Sequence, residues 1–127
     1  MEITEKERLM LVKKKEEICK LTNEIMEIEH SPEQITEIKK KMTAILSLIS
    51  TIASYSNSKN IDLRRFSMAT IILFTTMQLH KDAGTWNAVI PLIDTFCNIA
   101  NSVQYSFTKK GIKIVIPKID LSIFRKG

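Results

Sequence analysis

The chain has 127 residues, of which 44% are hydrophobic and 26% are charged, and these are the proportions of a single globular domain. That composition excludes a wholly disordered protein, and two cysteines are too few for the disulfide framework of a small secreted domain. We therefore expect a cytoplasmic protein in which Cys19 and Cys97 are reduced and buried. The longest uncharged run, residues 42–58, is too short and too rich in Ser and Thr for a membrane span, so none is expected.

The first 54 residues predict two antiparallel helices. Apolar residues spaced by three and four positions between Ile18 and Ile28 predict a first helix over residues 3–29. Ser31 is placed as the N-cap of the second helix, which begins at Pro32, with Gln34 completing a capping box. An unbroken heptad seam of apolar residues follows. Its members are Ile35, Ile38, Met42, Ile45, Ile49 and Ile52. The short link makes the two helices neighbours.

Two more helices follow a polar loop. The third is predicted from residue 61 or 62 to His80, and between Phe66 and Leu79 nearly every side of it is apolar or small. Such a helix is normally central and buried. Thr85 is a candidate N-cap for the fourth helix, which Pro91 should kink or restart.

From residue 103 the apolar residues alternate, which predicts a β-hairpin of residues 103–108 with 112–116. Gly111 stands where the turn needs a positive φ, and residues 119–124 are predicted as a third extended stretch. A hairpin alone is marginally stable, so it must pack on the helices, gain a strand or pair with another chain.

The resulting fold class is mainly α. It is a four-helix bundle, made of an αα-hairpin, a buried central helix and a kinked fourth helix, with a C-terminal β-hairpin and extended β tail. Residues 1–103 form the bundle. Residues 104–127 form a basic tail that packs on the bundle or on a neighbouring subunit.

Positive charge is concentrated in that tail, where the last 20 residues hold six basic residues and one acid, Asp120. The basic residues are Lys109, Lys110, Lys113, Lys118, Arg125 and Lys126. Such a cluster attracts anionic partners, but lysines beside an apolar strand also keep its edge soluble, and we favour this second interpretation. Arg64, Arg65 and Trp86 are further candidates for partner contact. We favour solvated charges for the two arginines and a position that covers the end of the core for Trp86.

The sequence predicts no catalytic residue, metal site or cofactor, and therefore no enzyme. His30 and His80 end different helices, and neither His-x-x-x-His nor Cys-x-x-Cys occurs. Three glycines form no phosphate-binding loop.

We therefore expect a non-catalytic structural or assembly protein. It would oligomerise or dock into a larger complex, such as a virus particle or secretion machine, through its helical seam and β tail. The alternative is a nucleic-acid-binding accessory protein that uses the basic tail as a phosphate-contacting ribbon.

Overall fold

The computed structural model describes residues 2–56 and 60–125, and within them it has five α-helices and one β-hairpin. In chain order the elements are α1 (Glu5–Glu27), α2 (Ile35–Ser54), α3 (Ile61–Ala83), α4 (Ile90–Ser102), β1 (Gln104–Thr108), β2 (Gly111–Val115) and α5 (Ser122–Arg125). The predicted fold class, a mainly α bundle with a C-terminal hairpin, is confirmed.

The α1–α2 hairpin is capped at a different place from the one predicted. Thr4 and Glu7 form a capping box at the start of α1, where each side chain accepts a hydrogen bond of 3.0 Å from the other's backbone N–H. Ser31 makes no side-chain capping bond. The predicted box at Ser31 and Gln34 is wrong because the turn that begins at Pro32 is a 3-10 turn, so the α-helix starts only at Ile35.

The central helix of the bundle is α2. Its heptad seam packs against α1, α3 and β2, and the seam residues from Ile38 to Ile52 are 0% exposed. Nζ of Lys41 on α2 lies 3.2 Å from a carboxylate oxygen of Glu24 on α1, and both residues lie within the two helical turns next to the link, as in an antiparallel pair. The seam is therefore buried in the core of its own chain.

The prediction that α3 is buried on all sides is wrong. Phe66, Leu73 and Met77 are buried, but Ile71 is 65% exposed and Leu79 63% exposed. A bundle of this size has too few elements to surround a helix, so α3 packs on the core along one stripe and meets solvent along the opposite one.

The fourth helix is restarted by its proline rather than kinked. A 3-10 turn covers Trp86–Ala88, and α4 then begins with Pro91 in its first turn, where the missing N–H costs nothing. Thr85 makes no side-chain capping bond there. Its hydroxyl instead contacts Nδ1 of His80, and Gly84 ends α3 with a φ of 71°.

The strands lie within one residue of the predicted bounds; Tyr105 pairs with Ile114 and Phe107 with Ile112, and Gly111 has a φ of 145°. Ile112 and Ile114 are buried in the same hydrophobic core as the helices. The N–H of Ile3 also donates to the carbonyl of Lys109 at 3.4 Å, so the hairpin packs on its own bundle.

The predicted extended stretch 119–124 is wrong from residue 122 onward, where α5 begins. The carboxylate of Asp120 accepts hydrogen bonds from the N–H and the hydroxyl of Ser122, at 3.0 and 2.7 Å, and this local bond favours a turn into helix over a strand. Phe124 is buried against α3, and its carbonyl accepts a 3.3 Å hydrogen bond from the hydroxyl of Thr76.

Candidate functional site

The two histidines have structural roles and lie on different elements. Nε2 of His30 donates to the carbonyl of Ile25 at 2.8 Å, and its Nδ1 lies 3.7 Å from a carboxylate oxygen of Asp94. His80 is buried in the last turn of α3. Among residues 2–56 and 60–125, no group of three or more His, Cys, Asp or Glu side chains could hold a metal ion.

The cysteines are both free, but only one is buried as expected. Cys97 lies in the core, where burial and the nearby Asp94 carboxylate raise the pKa of its thiol to about 12. Cys19 is exposed, because it lies next to Ile18 on α1 and outside the apolar stripe that packs on α2. The expectation of two buried thiols is therefore wrong for Cys19.

The basic residues of the tail are spread over more than one surface. Lys110 and Lys113 line one shallow depression on the hairpin, together with Ser106 and Thr108. Lys109 lies close enough to Glu5 to contribute to lowering the pKa of that carboxyl, although the hydrogen bond from Arg8 is the main cause. One hairpin lysine, Lys109, therefore interacts electrostatically with an acidic residue of α1.

The remaining basic candidates lie elsewhere. Lys118 and Arg65 line a second depression, which Asp120 also lines. Arg64 is exposed in the first turn of α3, and Arg125 is exposed in α5. Lys126 lies outside the described residues.

Trp86 closes one end of the core. It is 8% exposed, and its indole N–H donates a 2.9 Å hydrogen bond to the carbonyl of His30, in the link between α1 and α2. The structure thus gives Trp86 the core-covering position that the sequence analysis favoured.

An open groove with several apolar lining residues lies between α1 and α2. It has a volume of about 580 Å³, and its apolar lining residues are Leu9, Met10 and Leu48. Its charged lining residues are Lys6, Lys13, Lys14 and Glu17. The groove is open, and no buried polar group points to a particular ligand in it.

The feature that sequence reasoning missed is an exposed apolar stripe on α3, which we call the α3 face: Ile61, Met68, Ile71 and Leu79. These side chains are 65, 49, 65 and 63% exposed. At 3.6 residues per turn they project within about 80° of arc, opposite the buried stripe. They are four of the eight large apolar residues that are prominently exposed in the described chain. Four large apolar side chains exposed on one side of one helix are unusual for a soluble surface, whereas exposed apolar residues scattered singly are normal.

Charge is absent along the middle of the α3 face. Residues 66–80 contain no Lys, Arg, Asp or Glu, and charges flank this segment at Arg64, Arg65, Lys81 and Asp82. This 15-residue uncharged run is the sequence signal for the α3 face, because a small domain leaves a large fraction of its surface exposed and has few elements with which to cover such a helix.

Comparison with family models, with curated proteins and with solved structures finds no match for this chain. Within the described residues, no helix is long and apolar enough to cross a membrane.

Proposed function

We propose that this chain is a non-catalytic assembly protein that associates with further protein chains through the α3 face. The observation that carries the proposal is that Ile61, Met68, Ile71 and Leu79 are half to two thirds exposed on one side of one helix. Burying them would contribute on the order of 5 kcal/mol per chain before the cost of association.

The proposal moves the contact away from the elements that the sequence suggested. The heptad seam of α2 lies in the core, and the hairpin packs on its own bundle through Ile112 and Ile114. The apolar faces of both elements are therefore occupied within the chain, whereas the α3 face is exposed. We also propose an intracellular setting, because Cys19 and Cys97 are free.

The native mass of the purified protein tests the proposal. We expect the wild-type mass to rise above 14.6 kDa with concentration, and Met68→Lys to keep the chain monomeric while its circular dichroism stays unchanged. Met26→Lys on α1 is the matched control, because Met26 is 52% exposed and Met68 is 49% exposed. A wild-type chain that stays at 14.6 kDa, or an equal effect of both substitutions, would contradict the proposal.

A nucleic-acid-binding role is the second candidate, and the observation that favours it is the joint placement of Lys110 and Lys113 with two hydroxyl side chains in one depression. It predicts that single-stranded oligonucleotides bind with an affinity that falls steeply with salt concentration. Charge reversal at Lys109, Lys110 and Lys113 should abolish this binding. The absence of binding at low salt would exclude this role.

A further inference from the structure

We infer that the partner on the α3 face is a second copy of this chain, whose own α3 runs antiparallel about a two-fold axis. The inference rests on the proposed function, in that it requires the α3 face to be the site of assembly. What it adds is the identity, direction and register of the partner helix.

The residue spacing on α3 allows two copies to pack along a straight seam. Every seventh residue lies on nearly the same line along a helix, and a second line follows four positions later. The first line holds Ile61, Met68, Thr75 and Asp82, and the second holds Arg65, Ile72 and Leu79. Together they form a two-column surface that is apolar or uncharged in its middle and charged at its ends. It contains Ile61, Met68 and Leu79 of the α3 face, and Ile71 lies at its edge.

A two-fold axis that crosses α3 between residues 73 and 74 matches this surface to itself. Met68 then lies opposite the partner's Leu79, and Ile72 lies opposite the partner's Thr75. Met68 and Leu79 are among the most exposed apolar side chains of the described chain, and each would cover the other. In this register every pair occurs twice.

Charge selects the antiparallel direction. The same axis places Arg65 opposite the partner's Asp82, so each end of the seam gains a pair of opposite charges, whereas a parallel pair would oppose Arg65 to Arg65 and Asp82 to Asp82. The carboxylate of Asp82 is held on α3 by the side-chain amide of Gln78, 3.2 Å from both oxygens. Antiparallel packing also brings the positive end of each helix dipole to the negative end of the other.

Neighbouring elements leave this seam open except at Ile72, which is partly buried against the core. On one flank, the ammonium of Lys39 lies 5.5 Å from the centre of the Phe74 ring. On the other flank, α5 is bonded to Thr76, about 80° round the helix from Met68. Because the contact is isologous, each chain uses its α3 face once, and the assembly closes as a dimer instead of growing into a filament.

Disulfide trapping tests the direction and register. Chains carrying Met68→Cys are mixed with longer, tagged chains carrying Leu79→Cys, both on a Cys19→Ser background; Cys97 is kept because it is buried. A bridge needs the two Cα atoms within about 7 Å, so we expect the mixed disulfide to exceed both self-disulfides. A predominance of self-disulfides, a statistical mixture or no disulfide at all would overturn the inference.

Charge exchange tests the Arg65–Asp82 pair without new thiols. Arg65→Glu and Asp82→Arg should each raise the dimer dissociation constant about tenfold, because two symmetric attractions become repulsions. The double variant should return it to nearly the wild-type value, and Lys81→Glu, beside Asp82 but off the seam, should leave it unchanged. If Met68→Lys disrupts the assembly but the double variant does not recover, the inference fails while the proposed function stands. If Met68→Lys has no effect on the mass, both fail.

Discussion

Truncation of Phe124 to alanine should destabilise the whole bundle, although this residue lies in the last described turn of the chain. Phe124 is 1% exposed and packs on α3, where its carbonyl accepts the Thr76 hydroxyl. A buried Phe→Ala change costs about 3–5 kcal/mol in free energy of unfolding. A four-residue terminal helix can shift to fill part of the cavity, so we expect about 3 kcal/mol, the lower end of that range.

Urea unfolding followed by far-UV circular dichroism measures this loss, in dilute solution so that association does not contribute to the measured stability. If the slope of the unfolding free energy against urea concentration is unchanged, the variant and the wild type expose the same surface on unfolding. Ile123→Ala is the control, because Ile123 precedes Phe124 but is 41% exposed, so we expect it to cost less than about 1 kcal/mol. Equal stabilities of Phe124→Ala and wild type would refute the reasoning, since they would mean that α5 contributes nothing to the core.

Three other outcomes follow from local contacts. Thr4→Ala should lose about 1 kcal/mol by removing the capping box of α1, and Ser31→Ala should lose less than half of this in the same denaturation assay, because Ser31 makes no capping bond. In mildly alkaline buffer a thiol reagent should titrate Cys19 alone in the folded protein, and Cys97 as well only after unfolding, because burial raises the pKa of Cys97 to about 12; two thiols that react equally fast in the folded state would contradict this. Hydrogen bonds to Glu37 and Glu24 raise the pKa of Lys41 above its ordinary value of 10.5. These partly exposed ion pairs contribute less than about 1 kcal/mol to the free energy of unfolding. That contribution is fully present below pH 10.5 and is lost as the pH rises through the pKa of Lys41 in the folded state. Lys41→Met should therefore lower the melting temperature at neutral pH but not in strong alkali, and an equal difference at both would be evidence against the ion pair.

The parts of the fold that the sequence predicted are those set by short-range periodicity. The seam of α2 from Ile38 to Ile52 and the alternation from Tyr105 to Ile114 each define a buried face within the segment itself. Such patterns need no knowledge of the neighbouring elements.

The errors arose where two local preferences competed or where the neighbours decide. Asp120 reads as an outward residue in an alternating stretch, yet its carboxylate bonds to Ser122 and starts a helix. The exposed side of α3 could not be chosen from a helix that is apolar on nearly every side, because Ile71 and Leu73 look equivalent until α2 and α5 are placed. The proposed interaction surface lies on the side of α3 that the sequence pattern could not identify as exposed.

The hydrogen bond from Ile3 to Lys109 joins segments about a hundred residues apart, and this bears on how the protein is made. The ribosome releases α1 and α2 first, and at about 5–20 residues per second the hairpin follows several seconds later. During that interval the end of the α1–α2 pair that Ile112 and Ile114 later cover stays open to water. A translation product that stalls before residue 104 would therefore expose this apolar end and be a substrate for chaperones or proteases.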